Sequence, residues 1–284
     1  MQYDDKVLDI IFLGLAQNCE KFLPNFFDKI EEISKELNIQ VFIGENGSDD
    51  FTFDTIQKKI VSSKIYNFVD TTSIEIYDDR IKRLATARQI LKDRIVELNI
   101  KSEFVCVIDL DDVINDTFNL DLLNSFMINL KKNQNKYFGI SLNSKPFYYD
   151  ILNFESDEFL NRNIKQLQNN KSIRSYKSRK LLIYDVQKAI SKKSGFECIS
   201  GFNGLCLYNY NEYITSNYLH NNPDQIPEHL LFNRYLYKTI KKKILVTNNY
   251  FRMPIEHKPL NNIFEFLIMK FIKYLNIYFK RIFY

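Results

Sequence analysis

Strand and helix patterns alternate along the first 110 residues, and this order constrains the fold more than any other feature of the chain. Apolar runs of strand length lie at 7–16, at 39–44, at 65–69 and from Phe104 onward, and apolar residues at helical spacing lie at 20–37, 53–60 and 79–98. The alternation predicts a largely parallel sheet with helices on its faces. Because ligands of such sheets bind beyond the carboxyl ends of the strands, the polar residues that follow these strands are the first candidates for a functional site.

The second half of the chain is less regular. Its strand candidates lie at 137–142, 181–184 and 205–208. The polar, charged segment 156–178 is expected to form a helix with a mobile loop. A chain of 284 residues with 45% hydrophobic content is large enough for one α/β domain. We therefore predict a single domain over 1–260, followed by a separate segment at 261–284.

Charge and cysteine usage narrow the functional classes. The net charge is only +4, and basic residues are mixed with acidic ones, which argues against a nucleic-acid groove. The four cysteines, Cys19, Cys106, Cys198 and Cys206, form no Cys-x-x-Cys pair, so a reducing compartment is expected. The first residues are acidic where a secretory signal is basic. These observations predict a cytoplasmic protein.

The segment 261–284 has the pattern of an amphipathic basic helix. Its apolar residues recur at helical spacing, and Lys270, Lys273, Lys280 and Arg281 lie between them. Charges interrupt every apolar stretch well before the ~20 residues that are needed to span a bilayer. Two interpretations stay open: the helix lies on an anionic membrane surface as a peripheral anchor, or it docks on the core of its own domain.

Three carboxylates follow the strand that starts at Phe104. Asp109, Asp111 and Asp112 come directly after the run Val-Cys-Val-Ile. Carboxylates this close repel one another unless a cation neutralises them, and an Asp-x-Asp pair offers hard oxygen ligands. The pattern predicts a divalent-metal site, and the alternative is an acidic turn after a buried strand.

Five other segments, in a fixed order around these acids, complete a resemblance to a known family. They are Gly14-Leu15-Ala16-Gln17-Asn18, Glu45-Asn46-Gly47-Ser48, the helical pattern of Arg80, Arg83, Leu84, Ala85 and Arg88, and the pair formed by Ser200 to Leu205 with Pro227-Glu228-His229. Together with Asp109-Leu110-Asp111 they resemble the metal-dependent nucleotide-sugar glycosyltransferases of the GT-A fold, especially the branch of fungal capsule-type mannosyltransferases. Two departures are the extra acid Asp112 and the residues Ala87-Arg88-Gln89, where the family usually shows Arg-Asn.

The resemblance implies a GT-A-like, Rossmann-type mixed sheet flanked by helices, with a nucleotide-binding half at about 1–115 and an acceptor half at about 116–260. It implies an enzyme of glycan biosynthesis that moves a hexose from a UDP-sugar or GDP-sugar to a hydroxyl of a glycan or glycolipid. The residues expected to contact the sugar nucleotide are Gly14, Leu15, Ala16, Glu45, Asn46, Ser48, Arg80, Leu84, Arg88, Asp109, Leu110, Gly201, Asn203 and Gly204.

A divalent cation suits this chemistry because the leaving diphosphate develops negative charge. Asp111 is predicted to bind Mn²⁺ or Mg²⁺ directly, and Asp109 to reach the ribose or a metal-bound water. His257 would add an imidazole ligand, which favours manganese. Arg80 and Arg88 lie eight residues apart, on roughly one side of a helix, and are predicted to clamp phosphate oxygens or else to pair with nearby aspartates.

Glu228 is the predicted catalytic base that would deprotonate the acceptor hydroxyl. An equally open interpretation is that Pro227-Glu228 starts a helix, where proline and an acidic residue are both favourable. The glycines Gly201 and Gly204 permit close approach to a sugar, or they belong to a simple hairpin or bulge.

Two other functions compete with the transferase. Asp109-Leu110-Asp111-Asp112-Val113 also resembles the first motif of haloacid-dehalogenase-type phosphatases, but about a hundred residues of α/β pattern precede it and no Gly-Asp pair follows. The non-enzymatic alternative is a membrane-docked binding module on a degenerate transferase fold.

Overall fold

The computed structural model describes residues 7–111, 117–158, 183–222 and 225–253. Its strands are β1 (Leu8–Ala16), β2 (Ile39–Glu45), β3 (Tyr66–Asp70), β4 (Ser102–Asp109), β5 (Tyr137–Lys145), β6 (Phe154–Glu155), β7 (Phe196–Cys198), β8 (Ser200–Gly201), β9 (Leu205–Asn209) and β10 (Lys243–Arg252). Its helices are α1 (Leu23–Ser34), α2 (Thr52–Ser62), α3 (Arg80–Glu97), α4 (Leu120–Lys132), α5 (Tyr210–Thr215) and α6 (Glu228–Ile240). Residues 183–191 are also helical.

Eight of these strands form one mixed sheet in the order β3-β2-β1-β4-β9-β5-β10-β7. The pairs β3-β2, β2-β1, β1-β4 and β5-β10 are parallel, whereas β9 lies antiparallel between β4 and β5. Because β9 runs antiparallel to both of its neighbours, β4 and β5 run in the same direction. The carboxyl ends of β1, β2, β4 and β5 therefore share one edge of the sheet, where a site is expected.

Apolar side chains cover both faces of the sheet. Alternate residues of β1 point to opposite faces, so Ile10 and Phe12 join one cluster and Ile11 and Leu13 join the other. The first cluster includes α1, α2 and α4, and the second includes α3 and α6. This burial on both faces explains why the central strands are continuous apolar runs rather than alternating ones.

The predicted strands of the first half are confirmed, with ends shifted by at most two residues. The strand predicted at 181–184 is wrong at its described residues, because 183 and 184 begin the helical segment 183–191. Buried residues recur once per helical turn in this segment, at Tyr184, Gln187 and Ile190. One side of the helix therefore faces the core. The sequence patterns also missed α4 and β10. Of the segment predicted at 156–178, residues 159–178 lie outside the described part, as does the tail 261–284.

No helix within the described residues is long and apolar enough to span a bilayer.

Candidate active site

The predicted acidic pair lies where β4 ends, at the shared edge of the sheet. Asp109 is the last residue of β4, and its N–H donates a hydrogen bond to the carbonyl of Gly204 (2.9 Å). Leu110 turns into the core and is only 1% exposed, whereas Asp109 and Asp111 are both partly exposed. The buried leucine anchors the turn between the two aspartates that flank it.

Arg88 joins the end of β4 to the start of α6. Its Nη2 donates to Asp109 Oδ1 (2.9 Å), and its Nε donates to Glu228 Oε1 (3.4 Å). The side chains of Arg88 and Glu228 are each only 6% exposed, so this is a buried ion-pair network. Arg88 belongs to the buried face of α3, a helix whose start is capped by Asp79, which accepts hydrogen bonds from the N–H groups of Ile81 and Lys82.

Negative charge exceeds positive charge around Arg88. Burial raises the pKa of Asp109 to about 8; Arg88 opposes this rise, while Asp111 and Asp150 add to it. Burial works against the charge of Arg88, but Asp109 and Glu228 hold its pKa above the ordinary value. Three carboxylates, those of Asp109, Glu228 and Asp150, thus interact with one guanidinium, and a fourth, that of Asp111, interacts with Asp109. A divalent cation would neutralise this excess of negative charge.

The donor set fits Mn²⁺ or Mg²⁺ in kind, because carboxylate oxygens are the ligands that these ions prefer. Within the described residues, however, no three acidic, histidine or cysteine side chains converge to complete a metal site. Asp109 and Asp111 would therefore supply only part of the ligand set. The other two predicted contributors, Asp112 and His257, lie outside the described residues.

Glu228 lies at the first position of α6, directly after Pro227. The helix-start interpretation of this pair is thereby confirmed, and the carboxylate faces Arg88 at the same time. The neighbouring His229 is 1% exposed and stacks on the ring of Phe202, with 3.6 Å between centroids. Burial, and then the charge of Arg88, lower the pKa of His229 well below its usual value, so the imidazole stays neutral. Arg88 also lies over Phe202, 5.3 Å from the ring centroid.

Asp150 belongs to this cluster and was missed by sequence reasoning. Its N–H donates to Asn203 Oδ1 (3.0 Å), and its Oδ2 accepts from Asn153 Nδ2 (2.7 Å). Burial raises the pKa of Asp150 to about 6, and the charge of Glu228 adds to the shift. One signal could have found it, since Asp150 is an acidic residue that follows the predicted strand at 137–142.

The predicted glycine-rich segment is a tightly packed turn before β9. Asn203 has a left-handed backbone (φ 50°) and is fully buried, and its Nδ2 donates to the carbonyl of Leu142 (2.9 Å). Gly204 has a φ of 83°. A Cβ on Gly201 would lie 2.7 Å from Cys198 Sγ, so that position accepts only glycine without rearrangement. Contact of these residues with a sugar nucleotide stays a prediction.

The loops after β1 and β2 are joined by hydrogen bonds. Glu45 is buried, and its Oε1 accepts from the N–H of Ser48 (2.6 Å). The N–H of Asn18 donates to Ser48 Oγ (3.0 Å), and Asn18 Oδ1 accepts from the N–H of Asp49 (2.8 Å). Asn46 lies half-buried in the same turn. The predicted nucleoside-binding segments are therefore neighbours, as their positions after adjacent strands required.

The structure does not bring all the predicted residues to one place. Arg80 is the exposed first residue of α3, about 12 Å along the helix axis from Arg88. Leu84 lies half-buried between the two arginines. In β1, Leu15 is half-buried, whereas Ala16 is 1% exposed.

Gly14 packs directly against Leu110. A Cβ built on Gly14 would lie 2.7–2.8 Å from three side-chain carbons of Leu110. We expect Gly14→Ala to lower the free energy of unfolding by about 1–3 kcal/mol, because β1 is held between two strands and cannot move away. Urea denaturation of Gly14→Ala, Leu110→Ala and the double variant checks this. The double variant should recover part of the loss caused by Gly14→Ala, and strictly additive losses would contradict the contact.

Comparisons of sequence identify no relative: no protein-family model and no curated protein matches the chain. Solved structures match its fold. Staphylococcus aureus TarS 1–349 in complex with UDP shares 12% identity and a TM-score of 0.50, with 88% of this chain and 62% of that chain covered. The Pyrobaculum calidifontis mannosyltransferase PcManGT, with GDP-Man and Mn²⁺, shares 11% identity and a TM-score of 0.49, with 88% and 58% covered. Mycobacterium tuberculosis glucosyl-3-phosphoglycerate synthase, with Mn²⁺ and UDP, shares 10% identity and a TM-score of 0.48, with 88% and 74% covered.

The TarS comparison, with its TM-score of 0.50, and the sheet order define a fold class. The chain has the GT-A fold, the fold of nucleotide-sugar glycosyltransferases, as the sequence resemblance implied. It spans about 62% of the length of the TarS 1–349 chain.

Proposed function

We propose that this protein is a metal-dependent glycosyltransferase that moves a hexose from a UDP-sugar or GDP-sugar to a hydroxyl of a glycan or glycolipid. The observation that carries the proposal is the buried Arg88, which joins Asp109 at the end of β4 to Glu228 at the start of α6. The network lies at the edge where ligands of α/β sheets bind. The TarS structure contains UDP, which supports a nucleotide donor for this fold.

Asp109 and Asp111 are the residues that would hold Mn²⁺ or Mg²⁺. When bound, the ion would neutralise the charge that develops on the leaving diphosphate. Arg88 holds the Asp109 carboxylate in place through a charge-assisted hydrogen bond. Its remaining group, Nη1, is buried and has no hydrogen-bond partner within the described residues. The predicted phosphate clamp would use this donor.

The catalytic base has two candidates, Glu228 and Asp150. Glu228 was predicted, but it is 6% exposed and already accepts a hydrogen bond from Arg88. Asp150 is partly exposed, and its pKa of about 6 suits proton transfer near neutral pH. We propose Asp150 as the base, with Glu228 orienting Arg88.

The alternative functions gain no support. Asp109 lies on the fourth strand of the chain rather than the first, and its Oδ1 is occupied by Arg88. Both features disagree with a phosphatase nucleophile on a first strand. A binding module would not need the buried charges around Arg88, which cost stability to maintain. The proposal also includes three points from the sequence analysis. They are the docking of 261–284 on a membrane surface, the domain limits at 1–260 and 261–284, and a glycan or glycolipid as the acceptor.

Calorimetric titration with UDP and with GDP, each with and without Mn²⁺, tests the proposal. We expect Mn²⁺-dependent binding of one nucleotide to the wild type and at least a tenfold loss of affinity in Asp111→Ala. Asp28→Ala, an exposed position on α1, is the matched control and should bind like the wild type. If neither nucleotide binds with Mn²⁺, or if Asp111→Ala binds normally, the proposed site is wrong.

A further inference from the structure

A cavity of about 340 Å³ opens beside the carboxyl ends of β5 and β10. Three lysines line it, Lys145, Lys192 and Lys193, together with polar groups such as Ser194 and Asn248. No described carboxylate belongs to its lining. The cavity therefore combines positive charge with hydrogen-bond donors, which is the composition of an anion site.

Within the described residues, two of the three lysines, Lys145 and Lys192, have no acidic partner. The ammonium of the third, Lys193, lies 3.0 Å from Glu158, but this exposed ion pair contributes little to stability. Lys145 instead lies over the ring of Tyr250, 3.7 Å from its centroid, and no described acid pairs with Lys145 or Lys192. Among the residues that the structure describes, the positive charge of the cavity is thus largely uncompensated.

A second cavity, of about 350 Å³ near the amino end of β4, provides a contrast. Its two lysines are neutralised by its two acids: Lys131 pairs with Glu103 at 2.6 Å, and Lys242 pairs with Glu212. Similar volume therefore does not imply similar chemistry. Of these two cavities, it is the one with Lys145 that keeps positive charge unpaired by any described acid.

The walls of the cavity beside β5 are held by hydrogen bonds. Asn143 Nδ2 donates to the carbonyl of Lys193 (3.2 Å), and Ser191 Oγ donates to the carbonyl of Pro146 (2.9 Å). Ser194 Oγ donates to Asn248 Oδ1 (3.0 Å). These bonds tie the segment around Lys192 and Lys193 to β5 and β10, so the lysines project from a fixed frame.

The cavity is also close to the candidate active site. Lys145 ends β5, and the preceding Ser144 accepts a hydrogen bond from Asn203 Nδ2 (3.2 Å), whose Oδ1 in turn accepts the N–H of Asp150. Strand β5 lies two places from β4 in the sheet, a separation of about 10 Å. In the strand order, β5 and β10 lie on the opposite side of β4 from β1 and β2, so the cavity and the predicted nucleotide-binding loops flank the end of β4.

We propose that this cavity binds a phosphate group carried by the acceptor, so that the substrate is a phosphorylated glycan or glycolipid. The inference rests on the proposed transferase function. Lys145 and Lys192 would bind the phosphate through charge-assisted hydrogen bonds, with the accepting hydroxyl directed toward Asp150. The donor diphosphate is the other possible source of phosphate, and the test separates the two.

The test uses glycerol 3-phosphate as a probe, titrated into the full chain beside glycerol as the uncharged control. We expect Lys145→Gln/Lys192→Gln to weaken glycerol 3-phosphate binding at least tenfold and to leave Mn²⁺-dependent nucleotide binding unchanged. Lys58→Gln/Lys132→Gln removes the same charge from exposed positions on α2 and α4 and should bind the probe like the wild type.

Other outcomes overturn the inference in distinguishable ways. If the cavity variant binds the probe normally, the cavity is not the phosphate site, although the transferase function can stand. If the variant loses nucleotide affinity as strongly as probe affinity, the cavity serves the donor rather than the acceptor. If the probe binds at the cavity but no nucleotide binds, the proposed function fails and the acceptor assignment fails with it.

Discussion

Arg88→Met is expected to lower the free energy of unfolding by about 3–5 kcal/mol, because it leaves the buried Glu228 and the partly buried Asp109 without their cation. Arg88 is the only described group that pairs with both Asp109 and Glu228. Methionine keeps much of the side-chain volume, so the loss would report charge rather than packing. Urea denaturation at pH 7, followed by circular dichroism, measures it.

The same variant should recover stability as the pH falls. Arg88 opposes the rise in the pKa of Asp109 that burial causes, so without Arg88 this carboxyl is harder to ionise in the folded chain than in the unfolded chain. A raised carboxyl pKa favours the folded state only while the group is protonated. The destabilisation by Arg88→Met should therefore be smaller at pH 5 than at pH 7. If the loss of unfolding free energy instead grows as the pH falls, the carboxylates are not its cause.

A matched control is available on the same helix. Arg94 pairs with Glu97 at 3.5 Å, and both side chains are about half exposed or more. Arg94→Met should cost less than about 1 kcal/mol. If Arg88→Met costs no more than Arg94→Met, the network around Arg88 is not a buried one and the proposed site loses its central observation.

Asp150→Asn is expected to lower the turnover of donor hydrolysis by about 10²–10⁴-fold while leaving Mn²⁺-dependent nucleotide affinity unchanged. Water replaces the acceptor in this assay, so the acceptor need not be known. The wild-type rate should rise with pH through about 6 as Asp150 ionises, and then level off. The charged groups that interact with Asp150 are Glu228, Arg88 and Asp109, and the Asp150→Asn variant retains all three.

Glu228→Gln separates the two candidates for the base. It keeps the shape of the side chain but weakens the bond to Arg88, so we expect lower stability and a smaller loss of turnover than in Asp150→Asn. The ionisation limb should persist in Glu228→Gln, shifted to lower pH because Glu228 no longer raises the pKa of Asp150, and it should disappear in Asp150→Asn. The opposite pattern would return the role of base to Glu228, as the sequence analysis predicted.

Much of the first half of the fold can be predicted from the sequence because the relevant signals are local. Hydrophobic periodicity marks β1 to β4 and α1 to α3, and each strand end is followed by the polar residues that mark the functional edge. The same approach failed at 181–184, where four apolar or aromatic residues suit either a strand or a buried helix turn. Only the positions of Gln187 and Ile190 in the next turns distinguish the two.

The sequence by itself determined the alternation of strands and helices, the acidic end of β4 and the family whose fold the chain shares, because these depend on short-range pattern and motif order. Only the tertiary structure decided that Arg88 meets Glu228, a partner 140 residues away, and that Asp150 enters the cluster. It also decided that β9 inserts antiparallel between β4 and β5. Such contacts depend on long-range packing and on the burial of charge, which local sequence patterns do not encode.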